Sequence, residues 1–165
     1  MNTEIWIILG IYTAFAMAEA VRTGFLKKEG ENSDDAKVEL ISTIVLLVIT
    51  QPLVLLASGT LASLIAPSAA GVLSGLPFIA GFALLLVFDD MSQYWWHRAS
   101  HSLPWLYNLH RSHHNQEYLS VRVVYRNNLF YYAMMPSLWF SGVLIYMGLG
   151  PVYAVYIIIK LTVII

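Results

Sequence analysis

Five histidines are the residues of this chain best equipped for chemistry: His97, His101, His110, His113 and His114. They fall within a window of 18 residues in a chain of 165, a clustering that random placement gives on the order of once in a thousand chains. His97 and His101 are four apart, and His113 and His114 follow His110 by three and four. On a helix, positions i, i+3 and i+4 share a face, so each cluster points its imidazoles in one direction. Ser102-Leu103-Pro104 breaks the helix between them, which lets two helical pieces face each other. Neutral imidazole is the commonest metal ligand and suits iron, zinc, copper and nickel. Five of them on facing pieces would surround one or two metal ions. The competing reading is a pH-sensitive or hydrogen-bonded polar cluster. Cysteine is absent, which excludes disulfides, thiolate zinc sites, iron–sulfur clusters and cysteine nucleophiles.

Upstream residues extend the pattern. Asp90, Tyr94, His97 and His101 are spaced four, three and four apart, one stripe at 3.6 residues per turn. Ligating histidines usually donate their second ring N–H to a carboxylate or carbonyl. Asp90 and Tyr94 are therefore candidates to support the ligands, with a plain acid at a helix end as the alternative for Asp90. Trp95, Trp96, Trp105 and Tyr107 read first as an interfacial aromatic belt. Arg98 and Arg111 suit lipid phosphates or acidic partners, and also simple placement of positive charge at one membrane face.

The elements that must position these residues are apolar. The chain is 58% hydrophobic and 12% charged, with a net charge of -1 and a mean hydropathy of +0.66. A soluble domain carries about 25% charged residues, so too little polar surface is available to cover an ordinary globule. The same numbers exclude intrinsic disorder, and the absence of a basic excess excludes a nucleic-acid partner. The expectation is an all-α, multi-pass membrane protein forming one domain over residues 1–165, since only helices and closed barrels satisfy the backbone in lipid. Apolar runs predict spanning segments at Ile5 to Val21, Leu40 to Ala66 with Pro52 inside it, Val72 to Phe88 ending at Asp89-Asp90, and Leu129 to Leu149. Gly150-Pro151 starts a fifth run, Val152 to Ile165. That run is interrupted by Lys160 and falls short of the roughly 20 residues needed to span, so the expectation is that the native chain continues beyond it. A start without positive charge argues for a retained first helix rather than a cleaved signal peptide.

Eight of the nine basic residues lie in two segments, Arg22 to Glu39 and Asp89 to Asn128. Hairpin connectivity puts both on one side, and the positive-inside rule makes that side cytoplasmic. The acidic stretch Glu29 to Asp35 reads as a solvated connector.

The run Asp90-Met-Ser-Gln-Tyr94-Trp-Trp-His97-Arg98-Ala-Ser-His101, followed by Leu103-Pro104-Trp105-Leu106-Tyr-Asn-Leu-His110-Arg-Ser-His113-His114, closely resembles the fatty acid hydroxylase/sterol desaturase superfamily. The core of the resemblance covers residues 89–126, and it corresponds to the N-terminal part of such a domain. Downstream, in Ser120-Val121-Arg122-Val-Val-Tyr-Arg126-Asn127-Asn128-Leu129, Arg126 matches the arginine of a family segment, while that segment's Asp, Thr, His and Pro are replaced. The resemblance implies a membrane-bound, non-haem di-iron oxygenase in which His97, His101, His110, His113 and His114 are metal ligands. It gives Arg126 a supporting place beside Asp90 and Tyr94. Iron would be the cofactor, O2 the co-substrate, and a fatty acyl, sterol or related lipid the substrate, hydroxylated or desaturated in lipid biosynthesis or modification. The family carries further histidines downstream, which agrees with a chain that continues.

No G-x-G-x-x-G follows a strand, so electrons would come from a separate donor protein. The setting would be the cell membrane of a bacterium or the endoplasmic reticulum of a eukaryote, with the histidines facing the cytoplasm. Two alternatives stand beside the oxygenase. One is an inactive fragment of such an enzyme. The other is a histidine-based membrane metal-binding or transport protein, which would need polar residues along a deep path; the spans offer mainly Glu19 and Gln51.

Overall fold

The computed structural model describes residues 3–23, 34–118 and 120–164, and among these it is helical with no strand. Lys27, Lys28 and the acidic connector as far as Ser33 lie outside the described residues. The first run forms α1 (Thr3–Thr23). The second forms α2 (Asp35–Val45) and α3 (Gln51–Ile65), joined without a break by a π-helical turn at Leu46–Thr50. Pro52 explains the wide turn: its ring cannot donate a backbone hydrogen bond and crowds the carbonyl four residues back, and a π-turn just before it relieves both defects.

The third run differs from its expected bounds. Residues 67–77 form turns, and α4 starts only at Phe78, then passes through Asp89-Asp90 and ends at Ser102. The acids do not stop the helix because Asp89 is buried and accepts a hydrogen bond from Lys160, 71 residues later. What ends α4 is Pro104. Leu103, the residue before it, is extended at φ -106° and ψ 115°, as pre-proline crowding demands. Pro104 then opens α5 (Pro104–His110).

The fourth run is also divided, into α6 (Leu129–Ala133) and α7 (Pro136–Leu144), because Pro136 interrupts the backbone ladder. A second π-turn, Ile145–Leu149, leads to α8 (Gly150–Ile164). Two stretches, Asp35–Ile65 and Leu129–Lys160, are long and apolar enough to cross a membrane. The second is not one rod. The Phe88 and Phe140 rings are 6.0 Å apart, while the neighbouring Asp89 holds Lys160. Twenty residues of straight helix would separate positions 140 and 160 by about 30 Å. The chain therefore reverses between them, at Gly148, whose φ of +113° suits a residue without a side chain.

At one end of the structure the turn after α3 meets this reversal. The Gly71 amide donates to the Tyr146 carbonyl at 3.2 Å and that of Leu73 to Met147 at 2.8 Å. Between the ends, α3 and α7 approach closely along Ser58, Gly59, Ser137, Ser141 and Gly142. A Cβ at Gly142 would lie 1.7 Å from the Ser58 hydroxyl, so only glycine fits there. Small residues at such a contact are how apolar helices gain packing without a hydrophobic driving force. Outward-facing residues are large and apolar: Leu64, Ile65 and Ile79 are each more than 70% exposed, a surface suited to hydrocarbon rather than water.

The opposite end gathers the histidines and most of the buried charge. Three carboxylates from α1 and α2 fasten the segment between α5 and α6. Glu19 accepts from the Ser120 hydroxyl and the Val121 amide, both at 3.0 Å. Glu39, fully buried, pairs with buried Arg122 at 3.2 Å and with Arg126 at 3.3 Å, and it accepts from the Tyr118 hydroxyl at 2.6 Å. Asp35 pairs with Arg126 at 2.9 Å.

Candidate metal centre

His97 and His101 lie on the last turns of α4, one turn apart, and their Nε2 atoms are 3.1 Å apart. His110 ends α5, and a 3-10 turn, Arg111–His113, brings His114 back so that the His110 and His114 Nε2 atoms are 3.0 Å apart. The reversal at Leu103-Pro104 sets the two pairs against each other. One ring nitrogen from each of His97, His101, His110 and His114 lies within 4.8 Å of all the others. The ring centroids of His97 and His110 are 4.7 Å apart, and those of His101 and His114 4.8 Å.

His113 is not one of the four. Its ring sits 5.6 Å from that of His110, nearly parallel to it, and 5.4 Å from that of His114. The chain changes winding after His110, from α-helix to a 3-10 turn over Arg111–His113, and His113 sits against the His110 ring rather than among the four. Its Nδ1 is buried with no hydrogen-bond partner.

The donor set fits a metal ion. Two nitrogens each about 2.1 Å from one ion and at right angles to each other lie about 3.0 Å apart, the spacing of both Nε2 pairs. The same spacing serves an imidazole–imidazole hydrogen bond when no ion is bound. Electrostatics favour the neutral, ligating form. Burial, and then the facing histidines, lower His110 to about 4. Burial first and neighbouring histidines second also lower His97 and His114. His113 follows for the same reasons, with the nearby Arg126 backbone opposing them.

Beyond the other histidines, His110 is held by two residues. Tyr131 stacks on it at 4.7 Å, and the Tyr131 hydroxyl accepts from Ser100 at 3.3 Å. Asn127 Nδ2 lies 3.3 Å from His110 Nδ1. The Asn128 side chain caps α6 by accepting from the Phe130 amide at 2.9 Å, which fixes the start of the helix carrying Tyr131.

Of the expected supporting residues, Asp90 and Tyr94 line an open groove of about 340 Å³ with Gln93, His97 and Arg98. Asp90 is exposed and lies about 10 Å along α4 from His97, too far to accept from its ring. The Tyr94 hydroxyl accepts from Arg98 at 3.0 Å, and the Arg98 guanidinium sits 5.8 Å from the Trp95 ring centre. Arg126 turns its side chain away to Asp35 and Glu39 and meets the histidines only through its backbone. Sequence reasoning does not single out Asn127, Tyr131, Glu39 or Arg122. A signal exists for Glu39 and Arg122: the acids Asp35 and Glu39 are four apart, as are the arginines Arg122 and Arg126.

Compared with known proteins, residues 82–165 match the family model described as fatty acid hydroxylase. The match begins within α4, takes in all five histidines and runs through α8; α1 to α3 lie outside it. No curated protein and no solved structure matches the chain.

Proposed function

The chain belongs to the fatty acid hydroxylase family, and from that premise we propose that it is a membrane-bound oxidoreductase that hydroxylates or desaturates an unactivated lipid C–H bond with O2. The observation that carries this reading is the convergence of four imidazole nitrogens within 4.8 Å. The implied metal is iron in a di-iron centre, with His97, His101, His110 and His114 as ligands and His113 beside them. Bound iron would supply the O2-dependent oxidation of the C–H bond.

The chain's own residues supply the rest. Desolvation and the neighbouring rings favour the neutral form of His97, His110, His113 and His114, the form in which an imidazole can ligate a metal. Tyr131, with Trp96 packed against it at 5.6 Å, walls the inner side of the cluster and shields His110 from water. Asp90, Tyr94 and Arg98 support the reading differently from the sequence expectation: their groove adjoins His97 and gives a lipid an approach along α4. The substrate is a fatty acyl, sterol or related lipid, and electrons come from a separate donor protein docking at the histidine end. Membranes containing the protein are expected to form an oxidised lipid product only with O2, to lose that activity to an iron chelator, and to regain it with ferrous iron. Product formation that is indifferent to O2 or to the chelator would remove the reading.

The orientation follows from charge. Lys37, Arg98, Arg111, Arg122 and Arg126 all belong to the histidine end, which we assign to the cytoplasm by the positive-inside rule. The chain has no cysteine, so single replacements report cleanly. In intact cells, a membrane-impermeant maleimide is expected to label Ser68→Cys and to label Asn115→Cys only after lysis. The reverse pattern would invert the assignment.

A further inference from the structure

Asn127 occupies a place whose chemistry the metal-centre reading leaves unused. His110 is the most buried of the five histidines, 2% exposed, and its two ring nitrogens have different neighbours. Nε2 is 3.0 Å from His114 Nε2, inside the convergent group. Nδ1 faces the Asn127 amide nitrogen at 3.3 Å. The other end of that amide, Oδ1, accepts the Asn128 backbone N–H at 3.2 Å.

A neutral imidazole carries one proton. With an amide N–H facing Nδ1, that nitrogen must accept, so the proton sits on Nε2 and points at His114. In this arrangement His110 has no lone pair to give a metal at Nε2. Binding through Nε2 requires the proton on Nδ1, and the atom facing Nδ1 must then be an acceptor. The Asn127 amide provides one by turning over, because its O and N ends have nearly the same shape. Turning gives up the bond to the Asn128 amide. The Tyr132 hydroxyl lies beside the Asn127 side chain and can both donate and accept, so it suits either orientation. Stacking on Tyr131 keeps the His110 ring in place throughout, so the proton position is the variable that changes.

We propose that Asn127 is the positioning residue that decides which His110 nitrogen carries the proton, and that its amide turns over when the centre is loaded. The inference rests on the metal-centre reading and assigns that centre its support for His110, a partner supplied by the loop before α6 in place of the carboxylate expected from α4.

The test uses the full chain in detergent, with cobalt(II) as the metal probe, and compares wild type with Asn127→Leu and Asn127→Asp. Leucine keeps the volume and loses the hydrogen bond, so it is expected to weaken cobalt binding about 10- to 100-fold, as loss of a ligand's outer partner does. Aspartate only accepts, so it is expected to hold wild-type affinity or better. A purely structural role would not separate the two. Leucine binding cobalt like wild type, or aspartate binding as weakly as leucine, would overturn the proposal. Nitrogen NMR of metal-free protein labelled in histidine decides the same point without any metal. The His110 proton is expected on Nε2 in wild type and on Nδ1 in Asn127→Asp, and an unchanged tautomer would refute the role of Asn127. Failure of wild type to bind cobalt would instead refute the metal centre.

Discussion

Replacement of His110 by alanine is expected to remove bound iron and reduce lipid oxidation at least about a hundredfold, the scale on which a misplaced catalytic group costs rate. His110 and His114 each lie against the other four histidines, but of the five only His110 is buried, and Tyr131 stacks on it. Alanine there removes a donor from the group of four and opens a void between Tyr131 and the remaining rings, so the other imidazoles also lose their support. His113→Ala is the informative comparison. His113 lies outside the convergent group, so its loss is expected to lower metal content less than loss of His110. Iron per chain and oxidised lipid per chain, measured together, check both. Iron and turnover unchanged in His110→Ala would end the metal-site reading, and equal losses in the two variants would place His113 among the direct ligands.

The second large effect is expected at the buried ion pair that fastens the loop between α5 and α6. Arg122→Met removes the guanidinium 3.2 Å from Glu39 while both side chains are fully buried. A buried charge that loses its partner costs about 3 to 5 kcal/mol. Arg126 and Tyr118 still touch Glu39, so the expected loss is near the lower figure, about 3 kcal/mol. Adding Glu39→Gln removes the stranded charge and is expected to restore part of the loss, because replacing both members of a buried pair is far milder than breaking it. Unfolding in mixed micelles, followed by helical circular dichroism against denaturant, reads both variants. A single variant as stable as wild type, or a double variant less stable than the single, would contradict the account. The same loop carries Asn127, so a loosened Arg122 is also expected to weaken metal binding.

Local periodicity explains which parts of the site are legible. The i,i+4 spacing of His97 with His101 and of His110 with His114, with a proline between the pairs, contains the whole geometric idea of two facing pairs. His113 departs from it because the α-helical repeat does not hold through a 3-10 turn, and nothing in Arg111-Ser112-His113 announces the tighter winding. Asp90 shares the stripe of the ligands, but periodicity gives the face of a residue and not its distance along the axis. Asn127 has no signal at all, being a polar residue in a loop whose partner is 17 positions away. The fold divides in the same manner. Pro52, Pro104 and Pro136 mark a wide turn, a helix end and a helix start through backbone sterics that a sequence displays directly. The passage of α4 through Asp89 depends on Lys160, and so is invisible to any local reading. The reversal falls at Gly148, two residues before the Gly150-Pro151 that the sequence favours, because proline is the louder punctuation while the positive φ belongs to the earlier glycine.

The pairing of Asp89 with Lys160 also sets an order on biosynthesis. Asp89 leaves the ribosome 71 residues ahead of its partner, and at about 5 to 20 residues per second the interval is roughly 4 to 14 s. During that time α4 holds a carboxylate at a depth that ends up buried between helices. Under the membrane reading, a carboxylate without a partner is costly in hydrocarbon, so α4 is expected to wait at the aqueous insertion channel. Lys160 faces the mirror problem in α8 and solves it on arrival. On that reading the two helices are expected to seat together, with the histidine end, built on the last turns of α4, reaching its final depth only after α8 has been made.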